Sequence, residues 1–223
     1  MRITRMESAV HGKKPEGKTM KTAILASQNK NKIKEISEIL GKFDLEVIPR
    51  DEAGLPSDDI EETGTTFEEN SYIKARAIMD MIEADPAFGK YLGCPVVADD
   101  SGLMVDALGG MPGVYSARYA GDDCNFDNNN RKLLADLEDV PDSERTAVFV
   151  TVITMIWPDR TIVARGECRG RIIREKRGTT GFGYDPIFVP DGYDKTFAEL
   201  GAEIKNTISH RARALEELER QLG

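Results

Sequence analysis

Long apolar runs are missing from this chain of 223 residues. No stretch of about 18 apolar residues occurs and the N-terminus has no apolar signal core, so neither a membrane span nor export is expected. Cysteine is scarce too. Cys94, Cys124 and Cys168 stand too far apart for the close pairs of a zinc site or a disulfide framework, which points to a reducing cytoplasm. Positive charge is in deficit: 30 Lys and Arg against 39 Asp and Glu leave a net −9, a balance that repels a nucleic-acid backbone and disfavours a polynucleotide partner. A small nucleotide stays open, because a metal ion and a few local cations offset an unfavourable global charge. The 40% hydrophobic and 31% charged residues are those of a globular chain that buries a core without staples, which sets aside disorder, collagen and coiled coil.

Residues 1–20 are basic with little apolar periodicity and are expected to be a flexible extension, the folded domain starting near Met20 and filling 21–223. Thr22 to Ala26 reads as a buried strand, Ser27-Gln28-Asn29 as a loop, and Lys30 to Leu40 as a helix with Ile33, Ile36 and Leu40 on one face before Gly41. A second strand spans Leu45 to Ile48, and an acidic loop runs from Pro49 to Gly64. Thr65 and Thr66 each have a Glu three residues on, the capping-box pattern, and open a helix running to about Glu83. Pro95 to Ala98 is expected to be a short strand ending in Asp99-Asp100 beside a glycine turn, with a Gly-rich loop to Gly121. Arg145 to Trp157 and Thr161 to Ile173 form a long hairpin about Pro158-Asp159-Arg160. Gly181 to Pro190 is a Gly/aromatic loop and strand, and Thr207 to Leu222 is a closing helix with Ile208, Ala212, Leu215, Leu218 and Leu222 inward. Strand-helix units joined to an antiparallel pair place the chain in the α/β class.

Gly12 to Thr19 matches the phosphate-loop string literally, but a strand rather than a helix follows it and Pro15 removes one amide of the cradle. The string is rejected. Ser27 to Lys32 lies at a strand-to-helix junction, where free amides and two lysines suit a polyphosphate, although the same residues make an ordinary solvated N-cap. Asp99-Asp100 and Glu61-Glu62 offer hard oxygen ligands for Mg²⁺, or are acids of turns on an acidic surface. Because consecutive strand residues point to opposite faces, only one of Asp99 and Asp100 is expected to face a given site. Gly181-Phe182-Gly183-Tyr184-Asp185 suits stacking on a base with a polar contact to its edge, or a tight turn with core aromatics. Lys205 and Ser209-His210-Arg211, with one of the two histidines in the chain, are candidates for base or phosphate contacts, or for structural roles.

Together these segments resemble the non-canonical purine nucleoside triphosphate pyrophosphatases, the inosine/xanthosine triphosphatase family. Four ordered blocks carry the resemblance: Ala26 to Lys32 with Glu35; Glu61-Glu62-Thr63-Gly64 with Phe67, Glu69, Asn70 and Lys74; Ala98 to Gly121; and Gly181 to Pro190 with Ser209-His210-Arg211. The chain departs from the family pattern at Gln28, where a small residue is usual. The resemblance implies a mixed twisted sheet with flanking helices in two lobes about a nucleotide cleft, a cytoplasmic homodimer, and hydrolysis at the α-phosphate to a monophosphate and pyrophosphate. By the same resemblance Asp100 is the proton acceptor and a Mg²⁺ ligand, with Glu61 supporting the metal. Ser27, Gln28, Asn29, Lys30, Asn31, Lys32 and Ser101 would hold phosphates or sugar. Phe182, Gly183, Tyr184, Asp185, Lys205, His210 and Arg211 would embrace the nucleoside.

Overall fold

The computed structural model describes residues 21–27, 29–121 and 124–223, with Asn31 by its backbone alone. The basic extension, the phosphate-loop string and Gln28 therefore lie outside the described residues. Among the described residues six strands form one sheet: β1 Lys21–Leu25, β2 Leu45–Pro49, β3 Val96–Val105, β4 Thr146–Ile156, β5 Thr161–Ile172 and β6 Phe188–Pro190. Their order is β2-β1-β3-β4-β5-β6. β1 runs parallel to β2 and β3, and the remaining pairs are antiparallel. The helices are α1 Lys30–Leu40, α2 Phe67–Ala84, α3 Phe126–Asp136, α4 Phe197–Ile208 and α5 His210–Leu222. The result is an α/β fold with a mixed sheet and flanking helices.

The two-residue period of the strands sorts the core onto two faces. Ala23 and Leu25 of β1 and Val97 of β3 pack with Ile36 and Leu40 of α1 and with Ala214, Leu215 and Leu218 of α5. Their neighbours Ile24, Val96 and Ala98 point the other way, into Ala75, Ile78, Met79 and Ile82 of α2. A further cluster joins Leu103 and Val105 at the far end of β3 to Leu133 of α3, Phe188 of β6 and Phe197 of α4. Each fully buried Leu, Ile or Phe in these layers contributes about 1.5–3 kcal/mol over an exposed one.

Four expectations need correction. β3 does not end at Ala98 but continues through both aspartates and Gly102 to Val105. Gly102 sits inside the strand because a Cβ there would lie 2.5 Å from the Gly113 carbonyl and 2.6 Å from Ser116 Oγ, so the glycine admits a neighbouring loop rather than making a turn. Thr66, not Thr65, caps α2, and Glu69 alone reaches back to both threonine amides while Glu68 turns to Arg165. The closing helix begins at His210 with Ser209 as its N-cap, and Ala214 rather than Ala212 enters the core. α3 and α4 were not foreseen, although Thr196 and Glu199 form a second capping box that marks the start of α4.

Candidate active site

On one face of β3 the residues run Val97, Asp99, Ser101, Leu103. The two polar positions fall between the α1/α5 core and the α3/α4 core. Into this gap α1 delivers Lys32, whose Nζ lies 2.7 Å from Asp99 Oδ2. The N-terminus of α1 is fixed locally: the Asn29 amide donates to Ser27 Oγ (3.2 Å) and the Lys32 amide to Asn29 Oδ1 (3.4 Å). Burial alone would raise the pKa of Asp99, but the charges of Lys32 and Arg211 outweigh it and hold the carboxyl below its ordinary value. Ser101 Oγ donates to Asp99 (3.3 Å) and pairs with Thr151 Oγ1 (2.8 Å).

Asp100 faces the opposite way, toward α2. Lys74 Nζ donates to Asp100 Oδ1 (2.9 Å) and to Glu62 Oε1 (3.1 Å), so one lysine ties the strand to the end of the acidic loop. That loop is anchored at its other end by Arg50, which donates to the Ser57 and Asp58 carbonyls, and next to α2 by the Gly64 amide on Asn70 Oδ1 (2.8 Å). Here burial dominates, and with the nearby Glu62 charge it raises the Asp100 pKa despite Lys74. Lys74 itself is held above its ordinary value, since the charges of Asp100, Glu62 and Asp99 outweigh its burial. Asp100 Oδ2 is buried and makes no hydrogen bond among the described residues. β1 pairs with β3 only at Val96 and Val97, so on that side the edge of β3 beside Asp99 and Asp100 is open to the loop leading into α1.

A cavity of about 230 Å³ is lined by Lys32, Ser101, Phe149, Phe182, Lys205 and His210 among others. Gly166 places α5 against β5: a Cβ there would meet the His210 carbonyl at 2.2 Å, so only glycine lets the start of α5 come so close. His210 stacks on Phe149 with ring centroids 4.7 Å apart and planes at 11°. Burial, reinforced by Arg211, Lys205 and Lys32, pushes its pKa well below the ordinary histidine value, so the imidazole is neutral near pH 7. Arg211 Nη1 is 3.3 Å from Glu35 Oε2, while its Nε is buried without an acceptor. Asp185 accepts from Lys205 Nζ (2.6 Å) and from the Phe182 amide (2.9 Å), and Lys205 also sits 4.5 Å above the Phe182 ring. Tyr184 Oη donates to the Ser116 carbonyl (2.9 Å), and Asn130 Nδ2 donates to that of Gly183 (2.8 Å).

Comparison with known proteins matches residues 23–221 to the model of the Ham1 family. The chain belongs to the Ham1 family. It is 46% identical to the dITP/XTP pyrophosphatase of Oceanobacillus iheyensis and 48% identical to that of Clostridium perfringens, in each case over 91% of this chain and 98% of the relative. Among solved structures, a HAM1 protein from Coxiella burnetii superposes with a TM-score of 0.81 at 42% identity. The Staphylococcus aureus Ham1 protein gives 0.79 at 44%, and each alignment covers 91% of this chain and 98% of the other.

Within this Ham1 chain the structure brings Asn29, Lys32, Ser101, Phe182, Gly183, Tyr184, Asp185, Lys205, His210 and Arg211 around one cavity, with Ser27 bonded to Asn29 at its rim. Lys30 is exposed on the first turn of α1. Glu61 is exposed and makes no hydrogen bond or ion pair among the described residues, whereas its neighbour Glu62 reaches Asp100 through Lys74. Sequence reasoning weighed Asp99 and Glu62 only as members of acidic pairs, counted Lys74 only within the resemblance, and did not single out Phe149. For Lys74 a signal existed, since it lies one further helical turn along from Asn70 on the capped α2. The described residues contain no group of three or more His, Cys, Asp or Glu able to cage a metal. The donor set nevertheless fits Mg²⁺, which takes one or two carboxylates and completes its shell with water and phosphate oxygens. The unpartnered Asp100 Oδ2 is a hard oxygen of that kind, and Glu61 is a second carboxylate free of other bonds among the described residues.

Proposed function

We infer that this Ham1 chain hydrolyses inosine, deoxyinosine and xanthosine triphosphates to the monophosphate and pyrophosphate, clearing deaminated purines from the nucleotide pool. The observation that carries the substrate is the buried Arg211 Nε–H without an acceptor, beside a neutral imidazole and the Lys205 ammonium in one cavity. A buried donor without a partner welcomes the 6-keto oxygen of hypoxanthine or xanthine. The 6-amino group of adenine would meet it donor to donor, and a buried mismatch of that kind costs a few kcal/mol. The names of the relatives, dITP/XTP pyrophosphatases, support the same substrates.

In this reading the base packs on Phe182 and is met at its edge by Lys205, His210 and Arg211. Ser27 to Lys32 and Ser101 hold the phosphates where the edge of β3 is open. Asp100, its pKa raised by burial and Glu62, accepts a proton from water as the water oxygen bonds to the α-phosphorus. The bond from that phosphorus to the bridging oxygen breaks, and its electron pair leaves with pyrophosphate. Mg²⁺ held by Asp100 and Glu61 would neutralise charge developing on the phosphate oxygens. Lys74 fixes the Asp100 carboxyl through Oδ1 and leaves Oδ2 to act. We also read the enzyme as a cytoplasmic homodimer, on the family resemblance together with the unpaired cysteines.

The test is product release from inosine, xanthosine, adenosine, guanosine, cytidine and uridine triphosphates, with Mg²⁺ and with chelator. Metal-dependent pyrophosphate release favouring inosine and xanthosine is expected. A flat or pyrimidine-biased profile overturns the substrate and points to a pyrophosphatase of the same fold for other nucleotides, while orthophosphate release overturns the reaction.

A further inference from the structure

Phe126 opens α3 with its side chain nearly half exposed (48%). A large aromatic in that position forgoes about half of its burial, yet it is not on a bare surface. It lines both the 230 Å³ cavity and a second one of about 550 Å³ that shares Phe182, Lys205 and Arg211 with it. Its ring centroid is 6.2 Å from that of Phe182, with the planes inclined at 42°. The spacing between the two residues is held by a side chain outside the cavity: Asn130, 2% exposed, donates from Nδ2 both to the Phe126 carbonyl (2.9 Å) and to the Gly183 carbonyl (2.8 Å). One amide thus links the start of α3 to the loop that carries Phe182.

We propose that Phe126 is a second aromatic wall of the nucleobase slot, swinging outward to cover the purine that stacks on Phe182. This rests on the substrate reading above and deepens it. A base plane between two rings needs about 7 Å, twice a van der Waals contact, so the Phe126 ring moves out by about 1 Å. Its exposure leaves room for that. The Asn130 bridge keeps the backbone at both residues in place while the ring moves. Phe182 already carries the Lys205 ammonium at 4.5 Å, so a second ring strengthens the grip on any purine without adding a polar contact. Phe126 thereby raises affinity for the base, and discrimination between keto and amino purines stays with Lys205, His210 and Arg211.

The experiment is calorimetric titration of inosine monophosphate, a product that cannot turn over, into the wild type and into F126A, F126L and F126Y. Stacking on an aromatic face predicts binding weakened about tenfold in F126A and nearly as much in F126L, with F126Y within about twofold of wild type. Pyrophosphate, which has no base, is expected to bind all four alike, and the nucleotide-free proteins to unfold at the same temperature. Wild-type affinity in F126A, equal binding by F126L and F126Y, or a parallel loss of pyrophosphate binding would each overturn the proposal alone. A wild type that does not bind inosine monophosphate overturns the substrate reading and this proposal together.

Discussion

Asp99 and Asp100 are adjacent, both buried and each paired with one lysine, yet their carboxyls are driven in opposite directions. Burial pushes both up. On the α1/α5 face two cations, Lys32 and Arg211, overcome it, so Asp99 remains ionised and ties β3 to α1 through Lys32. On the α2 face the single cation Lys74 is shared with Glu62, burial wins, and Asp100 becomes the more basic of the two. The alternation of one strand thus separates a structural charge from a chemical one, and the neighbouring charges rather than the depth decide which is which.

The largest way to sharpen the contrast is to remove the lysine from each side. Lys32→Met strips Asp99 of its closest cation and is expected to lower unfolding stability by about 3 kcal/mol, as broken buried pairs do. Lys74→Met should cost much less, about 1 kcal/mol, because Asp100 can take up a proton instead. Urea denaturation of both variants at pH 7 measures the difference, and equal losses would remove the distinction between the faces.

A smaller effect concerns acid. His210 is the one histidine among the described residues, and its folded pKa lies well below 6.5. Between that value and 6.5 the unfolded chain binds a proton that the folded chain does not, so stability falls as the pH drops through this window. The slope approaches 1.4 kcal/mol per pH unit. Substituting His210→Gln should flatten that window in thermal unfolding measured from pH 7 to 5. Asp99 adds its own loss only below the ordinary carboxylate range, since its folded pKa is depressed.

Much of this arrangement is legible in the sequence where local chemistry decides it. The bounds of α1 follow from the spacing of Ile33, Ile36 and Leu40, the start of α2 from Thr66 and Glu69, and the β4/β5 hairpin from its β-branched run and Pro158-Asp159-Arg160. The opposed faces of Asp99 and Asp100 also follow from strand alternation alone. What local pattern conceals is tertiary. Gly102 looks like a turn until the Gly113 carbonyl is placed beside it, and Thr207 to Leu222 looks like one helix until Ser209 is seen to cap α5 and to leave Thr207 and Ile208 at the end of α4. Glu61 and Glu62 are indistinguishable as a pair; only the register of α2 on β3 selects Glu62 as the one that reaches Asp100 through Lys74.

The division between the two aspartates is tested most directly by turnover of inosine triphosphate in Asp100→Asn and Asp99→Asn, with the stability of each measured alongside. Asp100→Asn is predicted to fold as the wild type does and to lose at least ~100-fold in turnover, as removal of a base and metal ligand should. Asp99→Asn is predicted to lose stability first and activity less. A folded Asp100→Asn with near-normal turnover, or an Asp99→Asn that is stable but inactive, would contradict the account and move the chemistry to the other face of β3.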